Sequence, residues 1–288
     1  MNLLNGKLIE TAKIRMNGGM ANNSDNNETS KEQQTDNNYT SIHPALYTSK
    51  VAFTLAEVLI TLGIIGVVSA ITMPTVIAKY QEQKTVTQLN KVYSVMSQAW
   101  QMMQAEYGTI DTWGMSNTDT GLKDENENAI YDHSAQKLIV ERLKPYLKIA
   151  RTCEAGKPCD MRDRYNLKGE KIGNGGFIAG SGDCPAEGMF YLADGTGIFM
   201  GWFGTNNIDF DVILPGNKRI LGKSEFYFNG SPKGIVPEGK DSSFKNRCNL
   251  NANGTYVGRG CTAWVIYNKN MDYLHCNDLS WDGKTKCK

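Results

Sequence analysis

From Val51 to Ala78 the chain is apolar almost without interruption, and Glu57 is the only ionisable side chain between Lys50 and Lys79. The centre of this run, Phe53 to Met73, holds 21 residues. As a helix it would be about 30 Å long, the thickness of a bilayer's hydrocarbon. Past Pro74 the pattern turns amphipathic instead of ending. Leu89, Val92, Tyr93, Met96, Trp100, Met103 and Tyr107 recur at helical spacing and predict one apolar stripe. Lys84, Lys91, Gln98 and Gln101 take the other faces. The pattern predicts one helix over 53–107, with a transmembrane half at 53–78 and an amphipathic half at 79–107. Pro74 removes a backbone donor and is expected to kink the rod.

Residues 108–288 alternate in shorter blocks. Ser134–Ile149 reads as a helix with Leu138, Ile139, Leu143 and Leu147 grouped and Pro145 near its end. Strands are predicted at Met189–Ala193, Gly197–Phe203, Ile208–Leu214, Glu225–Phe228 and Ala263–Tyr267, separated by turn signals such as Asp194-Gly195 and Asn229-Gly230. Short, closely spaced strands after helices point to an α+β fold, an antiparallel sheet packed on the long helix. Trp202, Phe203, Tyr227, Trp264 and Tyr267 fall in these strand patterns and read as core.

Residues 1–52 form a polar, Asn-rich leader. Such a segment buries too little surface to offset its ordering entropy and is predicted to be disordered; Met16 and Met20 are alternative starts. The whole chain carries 31 basic against 30 acidic residues, so no global field favours a nucleic-acid partner. All seven cysteines, Cys153, Cys159, Cys184, Cys248, Cys261, Cys276 and Cys287, lie beyond the apolar run. That placement suits an oxidising compartment for the C-terminal domain alone. Cys153 with Cys159, Cys248 with Cys261, and Cys276 with Cys287 are plausible neighbours, and the odd count leaves one thiol over. Spacing fixes no pairing.

The junction Lys50-Val51-Ala52-Phe53-Thr54-Leu55-Ala56-Glu57 carries the sharpest signal. It resembles the type IV prepilin and type II secretion pseudopilin family, in which a basic leader ends in a small residue before a Phe-Thr-Leu-x-Glu run and a long apolar stretch. The likeness spans about Lys50 to Pro74. It implies a pilin-like fold, cleavage by a prepilin peptidase between Ala52 and Phe53, and N-methylation of Phe53. It also implies an assembly role for Glu57 and a helix kink at Pro74. The implied partners are that peptidase, an assembly platform with its ATPase, other pilin-like subunits, and membrane lipid before assembly. The implied location is a single-pass membrane protein with its C-terminal domain outside the cytoplasm, ending in a surface or periplasmic filament. Ala52 stands where the family usually has Gly, and the leader is longer than most. Elementary energetics agrees. A carboxylate in hydrocarbon costs about 2.5–3.5 kcal/mol, so Glu57 wants a cation, and cutting before Phe53 makes one about a helical turn away.

Rival readings are a minor pilin that binds DNA or another surface ligand, and a secreted protein cleaved after Ala70 with Ile71 at its new terminus. An enzyme finds little support, since His43, His133 and His275 fall in no recognised catalytic spacing. Gly216-Asn217-Lys218-Arg219-Ile220-Leu221-Gly222-Lys223-Ser224 has five residues between its glycines and a strand after it, which disqualifies it as a phosphate loop. The cysteine spacing does not suit zinc, and no metal site is expected. Asn207, Asp209 and Asp211 offer oxygen ligands for calcium, but acids alternating on a strand read first as a solvated face.

Overall fold

The computed structural model describes residues 53–115, 119–123, 127, 129–131, 134–153, 158–172, 177–178, 188–204 and 207–287. Residues 1–52, and with them the leader reading, Met16, Met20, His43 and Ala52, lie outside the described residues, as do His133 and Cys184. The chain divides into two units, Met1–Thr54 and Leu55–Lys288; the fold below is that of the second.

Helix α1 (Leu55–Tyr107) runs for 53 residues, with Pro74 inside it. Its second half buries Val86, Leu89, Val92, Met96, Ala99, Trp100 and Met103, the stripe that the three-and-four spacing predicts. Tyr93 is half-buried against the same core, whereas Tyr107 is exposed and meets the Arg142 guanidinium. Strands β1 (Asp119–Lys123) and β2 (Ala129–Tyr131) form a separate antiparallel pair. Helix α2 (Ser134–Leu143) follows. The sequence predicts this helix through Ile149, but it tightens at Pro145 into a 3-10 turn over Lys144–Tyr146. Pro145 has no N–H to continue the α ladder. Ile149 instead opens strand β3 (Ile149–Thr152).

Short strands β4 (Pro158–Asp160), β5 (Arg164–Tyr165) and β6 (Phe177–Ile178) come next, then β7 (Met189–Leu192), β8 (Gly197–Gly204) and β9 (Asn207–Ile213). Strands β10 (Arg219–Ile220), β11 (Glu225–Ser231) and β12 (Gly234–Pro237) complete the set, followed by helices α3 (Ser242–Arg247) and α4 (Thr262–Asn268). The main sheet has six strands in the order β12-β11-β9-β8-β7-β3, every neighbouring pair antiparallel. The protein is α+β: a long N-terminal helix laid on a C-terminal antiparallel sheet.

Alternation decides which side of the sheet meets α1. Ile208, Phe210 and Val212 of β9, with Phe226 and Phe228 of β11, join the α1 stripe and α2's Ile139 and Leu143 in one core. Tyr93 stacks on Phe228 at 5.7 Å, and Phe228 on Phe210 at 5.5 Å. Asp209, Asp211, Glu225 and Tyr227 point the other way, as the period of two requires.

Two sequence expectations are overturned here. Asn229-Gly230 is no turn. It lies within β11, paired with Val236 and Ile235, and the chain reverses after Ser231. Ala263–Tyr267 is not a strand but most of α4, whose Ala263, Trp264, Val265 and Ile266 are all buried. A four-residue apolar run has no readable period, so burial on every side suits a short core helix equally. Trp264 stacks on Phe244 at 4.3 Å within the core, whereas Tyr267 is 46 % exposed and does not belong there. The side chains of Trp202 and Phe203 lie outside the described residues.

Candidate functional site

Every large apolar side chain from Phe53 to Ile77 is exposed. The window of mean hydropathy 2.2 within this helix has none of its residues buried, and by length and composition it can cross a membrane. An exposed apolar surface of this size marks an interaction surface, and a continuous helix satisfies its own backbone as a spanning segment must. The hydroxyls in it are satisfied locally as well: Thr61 Oγ1 donates to the Val58 carbonyl and Thr72 Oγ1 to that of Val68, both at 2.9 Å.

Phe53 is exposed. Glu57 stands in the first turn of α1, where a carboxylate complements the positive end of the helix dipole. Pro74 lies inside the helix, at the end of the apolar run.

The cysteines form three disulfides among the described residues: Cys153–Cys159, Cys248–Cys261 and Cys276–Cys287. The second joins the C-cap of α3 to the 3-10 turn that leads into α4. The third closes the C-terminal segment, next to His275. His275 Nε2 sits 2.9 Å from Glu82 Oε1 and ties that segment to α1.

The outer face of the sheet holds a group that sequence reading missed. β5 and β10 pair in parallel with Arg164 opposite Arg219, and both guanidiniums converge on Glu225, at 2.5 Å and 3.2 Å. Glu225 is fully buried and also accepts from Tyr227 Oη at 3.3 Å. Arg164 is 4.0 Å from Asp211. Farther along, Arg259 bonds Glu238 at 3.0 Å and Asp209 at 3.4 Å, and its guanidinium lies 4.3 Å over the Tyr227 ring. Burial, reinforced by the Glu225 charge and opposed by Arg164, pushes the Asp211 carboxyl up to about 8. Burial likewise raises Glu238 against the pull of Arg259.

Asp211 is therefore not on a solvated face, whereas the Asp209 side chain remains 38 % exposed. Asp211 is only 14 % exposed, and arginines that are distant in sequence occupy the positions a cation would take. Asn207 is exposed at the start of β9 and stands apart from this network. Among the described residues no group of three His, Cys, Asp or Glu side chains is placed to hold a metal. Each carboxylate of the network lies within 4.0 Å of a guanidinium, which ties β5 and β10 to the outer face of the sheet. The alternation of Asp209, Asp211 and Val212 was a legible signal for two faces. The identity of the arginines was not.

Asp160 and Arg162 form a second, bidentate pair, with contacts of 2.6 to 3.2 Å. Arg162 also donates to the Leu214 and Gly216 carbonyls at 3.2 and 3.0 Å and so fixes the loop between β9 and β10.

These features define a class: an α+β domain carried on a helix whose first half is an exposed, membrane-length apolar rod. The chain belongs to a family of unknown function, DUF6613, matched over residues 75–247. The match takes in the amphipathic half of α1, the sheet and α3, and begins directly after Pro74. No curated protein and no solved structure matches the chain.

Proposed function

We propose that this chain is a pilin-like structural subunit, cut before Phe53 and drawn from the membrane into a filament of a pilus or a secretion pseudopilus. The observation that carries the reading is the continuity of α1. One helix presents a wholly exposed apolar rod with a single acid near its start, then buries an apolar stripe against its own sheet. A monomer that ends this way is incomplete in water. Lipid covers the rod before assembly, and neighbouring rods cover it afterwards.

That exchange of lipid for protein yields little hydrophobic gain, so close packing and polar pairing must supply specificity. Gly63 and Gly66 have nothing within 4 Å of where a side chain would begin, which leaves room for a neighbouring backbone. Glu57 supplies the polar pairing, with the amine freed at Phe53 of its own or a neighbouring subunit. Three disulfides support a domain that works outside the cytoplasm. The role is structural rather than enzymatic.

Mass spectrometry of the N-terminal peptide, from material purified out of cells that hold a prepilin peptidase, tests the proposal. Methylated Phe53 is the expected terminus. A terminus at Ile71 would establish a secreted protein instead, and an intact leader would overturn the processing step.

A further inference from the structure

We infer that the groove where α1 leaves the apolar segment is a docking surface for anionic lipid headgroups, one that seats the globular domain on its own membrane. This inference rests on the reading of 53–73 as a membrane span.

The groove has a volume of about 570 Å³ and runs between α1 and the two connections that flank β10, with Ala78, Gln81 and Lys84 on one side and Pro215, Lys218 and Lys223 on the other. Its height is set by the helix. Ala78 lies five residues past Met73, roughly 8 Å along the axis, and a headgroup layer is about 5–8 Å deep. The groove therefore opens at the boundary between headgroups and water. Tyr80, 69 % exposed, sits at the same level, where amphipathic rings concentrate in membrane proteins.

The charge there is predominantly positive. Lys79, Lys84, Lys218 and Lys223 are exposed, and no ion pair engages them among the described residues. Lys218 reaches only the Tyr165 ring, at 5.0 Å. One acid, Glu82, also lines the groove, 2.9 Å from His275, so the lysines outnumber it. The β9–β10 loop that carries Lys218 is anchored from beneath by Arg162 through the Leu214 and Gly216 carbonyls, and the β10–β11 turn that carries Lys223 is closed by the Lys223 and Ser224 amides on the Ile220 carbonyl at 3.0 and 2.9 Å. The lysines are thus presented on a fixed edge rather than a loose one. A phosphodiester is the chemistry that three ammonium groups around one cleft recognise, and continuity with the span makes its source a lipid.

The test uses the full chain in vesicles of phosphatidylcholine, with and without phosphatidylglycerol. A fluorophore is placed at Asn217 (Asn217→Cys with Cys184→Ser), and energy transfer to a headgroup-labelled lipid is read. Transfer should rise in the phosphatidylglycerol vesicles and fall in about 0.5 M salt, where the Debye length shrinks to a few ångströms. At about fivefold per lysine, Lys84→Gln with Lys218→Gln and Lys223→Gln should cut the ratio of docked to undocked domain about 100-fold. Flotation with the vesicles should be unchanged by those substitutions. Equal transfer in both lipids, no effect of the three substitutions, or displacement of the domain by duplex DNA in place of lipid overturns the surface and leaves the span standing. A chain that floats with neither vesicle overturns the span, and the surface with it.

Discussion

The indole of Trp100 lies directly on Gly230: a side-chain carbon built on that glycine would come within 2.6 Å of the ring's Cη2. Trp100 is fully buried, and its Nε1 donates to the Ser231 carbonyl at 3.0 Å. The glycine inside β11 is therefore the floor under the largest side chain of α1, and it sets how closely helix and sheet approach. Gly230→Ala should destabilise the domain by roughly 1–3 kcal/mol through overpacking. Gly230→Val should cost more. Chemical denaturation in detergent, followed by tryptophan fluorescence, reads both.

Removing the central carboxylate of the outer-face network should cost more than removing an exposed charge. Glu225→Ala leaves Arg164 and Arg219 facing each other without their shared partner, an expected loss of about 3–5 kcal/mol. Lys91→Ala, which breaks the exposed pair with Asp194, should change stability by less than about 1 kcal/mol. The contrast between the two denaturation midpoints is the measurement.

Asp211 makes stability depend on pH with a definite sign. Its carboxyl is raised from an ordinary 3.8 to about 8 in the folded protein. The native state therefore keeps a proton that the unfolded chain releases, and this contribution is full below about pH 4 and lost as the pH climbs toward 8. Asp160 and Asp194 are lowered and act oppositely, weakening the fold only as the pH drops below the ordinary value. Asp211→Asn should match the parent near pH 4, exceed it increasingly toward pH 8 and flatten the slope between. An unchanged slope in thermal melts across that range would refute the assignment.

Glu57→Ala should insert into membranes as well as the parent does, or better, because it removes a charge from hydrocarbon. Filament assembly should fall sharply. Carbonate extraction reads insertion, and shearing of surface filaments or pull-down of neighbouring subunits reads assembly.

The Cys248–Cys261 bridge closes a loop with a sequence separation of 13. Replacing both cysteines by Ala should cost about 3 kcal/mol by the loop-closure relation. The neighbourhood tolerates little slack: Gly239 adopts φ 110°, and a side chain there would collide with the Gly260 carbonyl. Thermal melts of the double variant, with intact-mass counting of the remaining bridges, check the figure.

Local periodicity by itself determined a large part of this protein. The extent of α1, its apolar and amphipathic halves, strands β7, β8, β9 and β11, and the α+β class follow from spacings of three, four and two along the chain. Period is a property of neighbouring residues and needs no knowledge of the fold. Tertiary structure alone decided the rest. Gly230 looked like a turn because its reason, the Trp100 ring, lies 130 positions earlier in the chain. The run beginning at Ala263 could not be read as a helix because its first four residues are all buried, which leaves no period to read. Asp211 looked solvated because the strand β5 that covers it with Arg164, and the 3-10 turn that brings Arg259 to Asp209, lie far away in sequence. Contacts between distant residues arise only when the chain closes on itself, so their chemistry is written in space rather than in order.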